Sequence, residues 1–373
     1  MSDGGGLLDG VRVLDFGIWR PVPYATQLLA DLGADVLKVE PPGGDPMRTF
    51  PGLFATINAH KRSIVLDLKD AADLARALDL AADAHVVTEG FRPGVADRLG
   101  IGPDAVRARN PAVVYLSLSG FGQTGPFRLV PGHDVNYQAL AGVLRPDGGE
   151  PAPGHGVPWA DVAGGLAAAF AICAALVRQV RHGDGEVIDL AMTDLLATWT
   201  GAVTPGPVAS VGRRMAGAPG YGLYRARDGW ISLGAITEAH FWAAICDGLG
   251  LSDARDLTLA EQLDRSDELR ARIADAVGAL DRADAVARLA AAGAPVAPVN
   301  DRADMVADAH LRARDLVVDG PDGAPATAHP VRYVHHPARG PAVPPAPDAH
   351  AGEGFDAHAG EGFDARPTPG ASR

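Results

Sequence analysis

Residues 11–40 switch backbone period twice, and that switch constrains the fold more than any other stretch of the chain. Val11–Phe16 is a short apolar run of strand type. A loop holding Pro21 and Pro23 follows. From there apolar side chains recur at Tyr24, Leu28, Leu29 and Leu32, which lie on one face of an α-helix. Gly33 stops that helix, and Ala34–Glu40 returns to strand. Strand, helix and strand over about thirty residues form a βαβ unit, so the two strands are parallel and the helix covers one face of their sheet. Ser63–Leu68, His85–Thr88 and Val113–Leu118 add further strands, and Asp70–Ala82 adds a helix between the first two. The chain is therefore of the α/β class, with a large Rossmann-like parallel-sheet domain over residues 1–205.

Beyond this domain the pattern changes. Ala160–Arg181 is a long Ala-rich helix with Gly164 and Gly165 near its start, where small residues permit close backbone approach. Val187–Asp194 is a strand that runs into a helix. Residues 201–220 are rich in Gly, Pro and Val and form a linker. A smaller α+β domain occupies residues 206–325, with a strand at Gly229–Ala235, a helix through Phe241, Trp242 and Ile245, and one helical stretch over Leu269–Ala292. Residues 326–345 return to the large domain. The tail, 346–373, carries a direct repeat: Asp348–Phe355 and Asp356–Phe363 both read Asp-Ala-His-Ala-Gly-Glu-Gly-Phe. Two polar copies are too few for a solenoid, and the tail is expected to be mobile.

Composition removes several function classes. With 373 residues, the chain is long enough for two domains. A formal net charge of −13 argues against a nucleic-acid partner. Two cysteines, Cys173 and Cys246, give neither a disulfide framework nor metal-ligand spacing, so no metal is expected. Apolar runs such as Leu166–Val177 are too short for a bilayer, and the N-terminus lacks the regions of a signal peptide, so the expectation is a cytoplasmic protein without a membrane partner. Phe16-Gly-Ile-Trp-Arg-Pro after the first strand is no dinucleotide fingerprint, which disfavours NAD.

The chemistry rests on two residues. His133 lies in Gly-His-Asp-Val-Asn-Tyr, and Asp161 follows 28 residues later in Trp-Ala-Asp-Val-Ala-Gly-Gly, each opening an apolar helical run. An imidazole and a carboxylate on opposite sides of a carbon acid can invert a stereocentre by proton transfer. The carboxylate alone suits attack on a thioester instead. The start of the helix at Asp161 offers backbone N–H groups and a positive dipole end to a developing oxyanion. Asp is also a favoured N-cap, a role compatible with catalysis. Asp134 and Asn136 have structural roles. Lys61, Arg62 and Lys69 flank one strand, and Arg92 and Arg98 lie just past another, where α/β crevices bind ligands.

Four stretches resemble family III CoA-transferases in order: Gly33–Arg48, Lys61–Lys69, Glu89–Gly94 and Ser119–Pro126. The resemblance runs from Leu8 to about residue 335. Within it, Gly132–Tyr137 and Gly234–Phe241 are similar to the α-methylacyl-CoA racemase branch. That resemblance implies His133 and Asp161 as the two bases, with Glu238 supporting the histidine, although Thr237 stands here directly after Gly-Ala-Ile, where the racemase pattern has Glu. It implies CoA contacts from Lys38, Lys61, Arg62, Lys69, Glu89, Gly90, Arg92, Arg98 and Tyr137. It also implies an acyl-CoA substrate, no cofactor beyond that CoA, and an interlocked homodimer. The transferase branch would make Asp161 a nucleophile that passes through a mixed anhydride and an aspartyl-CoA thioester. A non-catalytic CoA-binding protein is a third class, which the presence of both residues disfavours. The loop Val203–Gly222 is expected to shape the acyl pocket.

Overall fold

In a computed structural model of the chain, residues 5–144, 156–199 and 217–355 are described. They form two compact units: one combines Met1–Ala202 with His310–Arg373, and the other is Val203–Ala309. The chain thus re-enters the large unit at His310, before the boundary expected at residue 325.

The large unit is built on a six-stranded sheet. Its strands are β1 (Arg12–Asp15), β2 (Asp35–Glu40), β3 (Arg62–Val65), β4 (Val86–Glu89), β5 (Val114–Ser119) and β6 (Glu186–Ala191). They lie in the order β3-β2-β1-β4-β5-β6, and every pairing is parallel. The order reverses between β1 and β4, which creates a switch point at the carboxyl edge of the sheet. Because both faces are covered, the central strands are buried almost end to end: β5 is buried at all six positions and β4 at all four.

Helix α1 (Pro21–Asp31) connects β1 to β2. It begins at Pro21, so Pro21 and Pro23 sit in its first turn rather than in a loop. Proline is tolerated there because those N–H groups have no intrahelical acceptor. Helices α2 (Pro51–Asn58), α3 (Ala71–Asp83), α4 (Val95–Arg98) and α5 (Pro103–Arg109) follow, and Asp70 caps α3 by accepting from the N–H groups of Ala72 and Asp73. After β5 come the short α6 (Asp134–Leu140) and the 24-residue α7 (Trp159–His182), then β6 and α8 (Met192–Trp199). A methyl group on Gly165 would lie 2.8 Å from the Pro21 carbonyl and 2.7 Å from the Tyr24 ring, so glycine is what lets α7 settle against α1.

By length and composition α7 could cross a membrane, contrary to the reading of its apolar run as too short, and half of that stretch is buried in the core. Its outer side exposes Leu166, Phe170, Val177 and Val180.

The tail differs from expectation. Residues 346–355 pack along the free edge of β3. The Ser63 carbonyl accepts the His350 N–H at 3.0 Å, Asp348 accepts the Val65 N–H at 2.9 Å, and Phe355 joins the core beneath α3. Paired backbone groups and one partly buried ring hold this first repeat copy in place. The second copy, 356–363, lies outside the described residues.

The smaller unit has an antiparallel sheet of β7 (Tyr221–Arg225), β8 (Trp230–Gly234) and β9 (Val296–Pro298). Helix α9 (Ala239–Leu249) buries Trp242 and Ile245 against it. Leu269–Ala292 is two helices rather than one, Ser266–Gly278 and Arg282–Ala291, because Asp281 takes extended backbone at the second N-cap. Most of the expected linker and acyl-pocket loop, residues 200–216, lies outside the described residues.

Candidate active site

The segments that leave the carboxyl ends of β1, β4 and β5 surround a cavity of about 570 Å³ at the switch point. Ile18–Val22 come from the first, Gly90–Pro93 from the second and Leu118–Phe121 from the third, and His133, Tyr137 and Asp161 complete the wall. His133 and Asp161, far apart in sequence, thus share one cavity.

Asp134 joins the two elements that carry them. His133 is the N-cap residue of α6, and its backbone N–H donates to Asn136 Oδ1 at 3.0 Å. The next residue, Asp134, reaches across to α7, where its Oδ1 accepts the N–H groups of Ala160 at 2.7 Å and Asp161 at 3.4 Å. Pro158, the residue at the α7 N-cap, has no side-chain acceptor. Asp134 therefore caps α7 from outside, and Asp161, in the first turn, is spared that task. This arrangement corrects one expectation: the N–H groups of Ala160 and Asp161 already have an acceptor in Asp134 and are not free for an oxyanion.

Asp161 is an unusual first-turn carboxylate. Burial pushes its pKa up to about 6, with the neighbouring Asp134 charge adding to the rise, while Arg20 and His133 pull the other way. Tyr137 packs edge-on to Phe121, with ring centroids 5.1 Å apart, and its hydroxyl donates to the Gly132 carbonyl at 2.5 Å. A methyl group on Gly120 would fall 2.1 Å from that ring, so only glycine leaves it room. Burial raises the phenol's pKa, and Asp161 raises it further.

Of the expected CoA contacts, Gly90, Arg92 and Tyr137 line the cavity. Glu89 stands directly behind it at the end of β4, 3% exposed, and accepts the Phe91 N–H at 2.7 Å. Burial lifts its carboxyl to about 7, and hydrogen bonds from Ser117 and Phe91 offset only part of that rise.

Two lysines are misplaced by the sequence reading. Lys38 is fully buried, pairs with Asp45 at 2.9 Å and donates to the Gly17 carbonyl. Lys61 is buried beside Asp15 at 3.2 Å and donates to Thr26, Asn58 and the Pro23 carbonyl. Burial depresses the Lys61 ammonium to about 8. Burial opposes ionisation of Asp15, yet Lys61 and Lys38 hold its carboxyl below the usual range. These charges are consumed inside the protein and do not reach a phosphate. Arg62 is likewise engaged, forked onto Asp35 at 2.7 and 2.9 Å and reaching the Gly354 carbonyl in the tail. Lys69 and Arg98 are exposed and do not line the cavity. Glu238 belongs to the smaller unit, where its carboxylate accepts the N–H groups of Ile236 and Thr237 ahead of α9.

Among the cavity residues to which the sequence reading gave no role, three carry a guanidinium or an indole. Arg20, Arg128 and Trp19 lie in no motif of catalytic type. The signal for the first was its place between a strand end and Pro21, directly at the switch point.

Comparison with known proteins gives the family. The sequence profile of CoA-transferase family III matches residues 8–351. Acetyl-CoA:oxalate CoA-transferase from Acetobacter aceti is 33% identical over 336 residues, covering 84% of this chain and 86% of its own. Human alpha-methylacyl-CoA racemase is 37% identical over 281 residues, covering 72% and 71%. The crystal structure of Rv3272 from M. tuberculosis superposes with a TM-score of 0.81 at 30% identity, over 93% of this chain and 99% of that one. The chain belongs to CoA-transferase family III, whose relatives include both transferases and racemases.

Proposed function

We propose that this chain is an acyl-CoA racemase that inverts the α-carbon of a 2-methylacyl-CoA thioester. The observation that carries the proposal is the convergence of His133 and Asp161 on one cavity. One base removes the α-proton from one face, and the electron pair moves onto the thioester oxygen as an enolate. The other base then returns a proton to the opposite face, so one C–H bond breaks and one forms. A carboxyl raised to about 6 is a better base than an ordinary aspartate, yet it is still mostly ionised at neutral pH. No cofactor beyond the substrate's own CoA enters this scheme. Arg92, beside Tyr137 in the cavity wall, is the CoA contact. The exposed apolar side of α7 supports a homodimer in which a second copy covers it.

A second reading has its own support. Relatives named as CoA-transferases match as large a share of the chain, 84%, as a relative named as a racemase does. In that reading Asp161 attacks the thioester carbonyl, CoA leaves as the thiolate, and a mixed anhydride forms before an aspartyl-CoA thioester. Incubation of a single 2-methylacyl-CoA enantiomer in D₂O separates the two. The racemase reading expects solvent deuterium at the α-carbon, inversion, and loss of both in His133→Ala. A CoA adduct on Asp161 in the intact-protein mass, with acyl transfer to a free acid and no deuterium, would replace it with the transferase.

A further inference from the structure

The cavity holds a cation that neither base chemistry nor CoA binding accounts for. Arg20 lines the wall together with Asp161 and lowers the pKa of that carboxyl, whereas Arg92 acts on Tyr137. Arg20 is half-buried, and among the described residues its guanidinium forms no ion pair or side-chain hydrogen bond. A guanidinium offers five donors in a planar fork suited to a carboxylate, and such a group in a cavity is costly to leave unmatched.

The backbone around it is strained. Trp19 has φ +63°, in the left-handed region that a bulky side chain avoids, and its N–H donates to Asp45 Oδ1 at 3.2 Å. Arg20 itself has φ −108° and ψ −51°, an α conformation that the following Pro21 disfavours. Two consecutive residues in disfavoured conformations, fixed from one side by the Asp45–Lys38 pair and from the other by α1, aim one arginine into the cavity. Strain of this kind persists where the position of a side chain has a use.

We propose that Arg20 binds a free carboxylate on the acyl group, so that the substrate is the monothioester of a dicarboxylic acid, with one carboxyl joined to CoA and the other free. This rests on the reading above, in which the acyl group lies beside Asp161. The cavity's charge agrees with it: the guanidinium groups of Arg20, Arg92 and Arg128 share the wall with a single carboxylate, Asp161, in a chain of net charge −13.

The test is calorimetric titration of the full chain with two CoA thioesters of similar shape. One is 2-methylsuccinyl-CoA, esterified at the carboxyl beside the branch, and the other is its neutral counterpart, 2,4-dimethylpentanoyl-CoA. The wild type is expected to prefer the charged ligand by roughly 10- to 100-fold, as a charge-assisted pair in a partly dry site allows. Arg20→Gln collapses that ratio to below about threefold. Arg20→Lys, which retains the charge without the fork, keeps part of it and guards against misfolding of the glutamine variant. Arg92→Gln weakens both ligands alike and leaves the ratio. No preference in the wild type, a preference that survives Arg20→Gln, or an equal loss of it in Arg92→Gln overturns the inference. Deuterium exchange measured on the same samples keeps the two ideas apart. If neither ligand exchanges its α-proton, racemisation fails, while the affinity ratio still decides the role of Arg20.

Discussion

Replacing Asp161 by Asn should stabilise the protein and destroy its activity, and the gain should depend on pH in a defined way. The folded protein holds this carboxyl near 6 instead of the ordinary 3.8, with burial the largest cause. At 1.36 kcal/mol per decade of proton affinity, the gap corresponds to about 3 kcal/mol, or about 2–3 kcal/mol once the wet part of the carboxyl is discounted for screening. The folded pKa lies above the unfolded one, so the native state binds the proton more tightly. Stability therefore falls as pH rises from about 4 to about 6, and the full cost persists above that. Asparagine has nearly the same shape and no charge to bury. The two proteins should melt together near pH 4 apart from a pH-independent packing offset. Above pH 6 the variant should melt higher, by about 2–6 °C at roughly 1–2 °C per kcal/mol for a unit of this size. Scanning calorimetry of both proteins between pH 4.5 and 7.5, beside the D₂O exchange assay, measures each quantity. A gap that is flat or closes as pH rises refutes the claim that Asp161 is a buried, destabilised base.

Asp134→Asn keeps an acceptor for the Ala160 N–H but removes a charge beside Asp161, so the acidic limb of the kcat/KM profile should move to lower pH; an unmoved limb counts against the coupling. Lys61→Ala strands the buried Asp15 and should cost about 3–5 kcal/mol of stability, read by denaturant unfolding, rather than a selective loss of CoA affinity. Glu89→Ala frees the Phe91 N–H and loosens the turn that carries Arg92, so calorimetry should show weaker CoA binding, with a larger loss at pH 8, where Glu89 is ionised, than at pH 6. Truncation after Ala346 strips the β3 edge and exposes the seat of Phe355, which should lower the melting temperature and promote self-association in sedimentation.

Much of the scaffold was legible because the sheet is parallel and covered on both faces. Such strands are near-continuous apolar runs, and β1, β2, β4 and β5 all stand where those runs predict. The same burial misled the reading of charges. Lys38 alternates with Leu37 and Val39 along β2, and in a half-exposed strand it would face water; here both faces are dry and it is fully buried. Its partner Asp45 is seven residues away, and the Lys61 partner Asp15 is 46 away, so neither pair was visible as a pattern. The joint placement of His133 and Asp161 in one cavity wall was legible because each stands at the start of a helix within a distinctive motif. The place of Arg20 in the cavity wall was not, since it depends on the loop conformation at Trp19, which no residue type there announces. The tail was misjudged from composition: a polar octapeptide with one phenylalanine found an unpaired strand edge to dock on.

The carboxyl edge of the sheet is divided between two uses of charge. On the β1–β2 side, Asp15 with Lys61, Lys38 with Asp45 and Glu40 with Arg48 neutralise one another away from solvent. On the β1–β4–β5 side the charges face an open cavity, and there the design runs against the usual behaviour of a helix start. A carboxylate in the first turn normally gains from the dipole and from backbone N–H groups, and both effects lower its pKa. Asp161 stands in that position, yet Asp134 has taken the N–H groups of Ala160 and Asp161, and among the described residues nothing donates a hydrogen bond to the Asp161 carboxyl. The capping residue thus removes the donors that would have made Asp161 a weak base and adds a negative charge that makes it a stronger one. Because Asp134 follows His133 directly, the backbone that presents the imidazole also carries the group that tunes the carboxylate. A change at Asp134 is therefore expected to alter His133 and Asp161 together, one through its position and the other through its proton affinity.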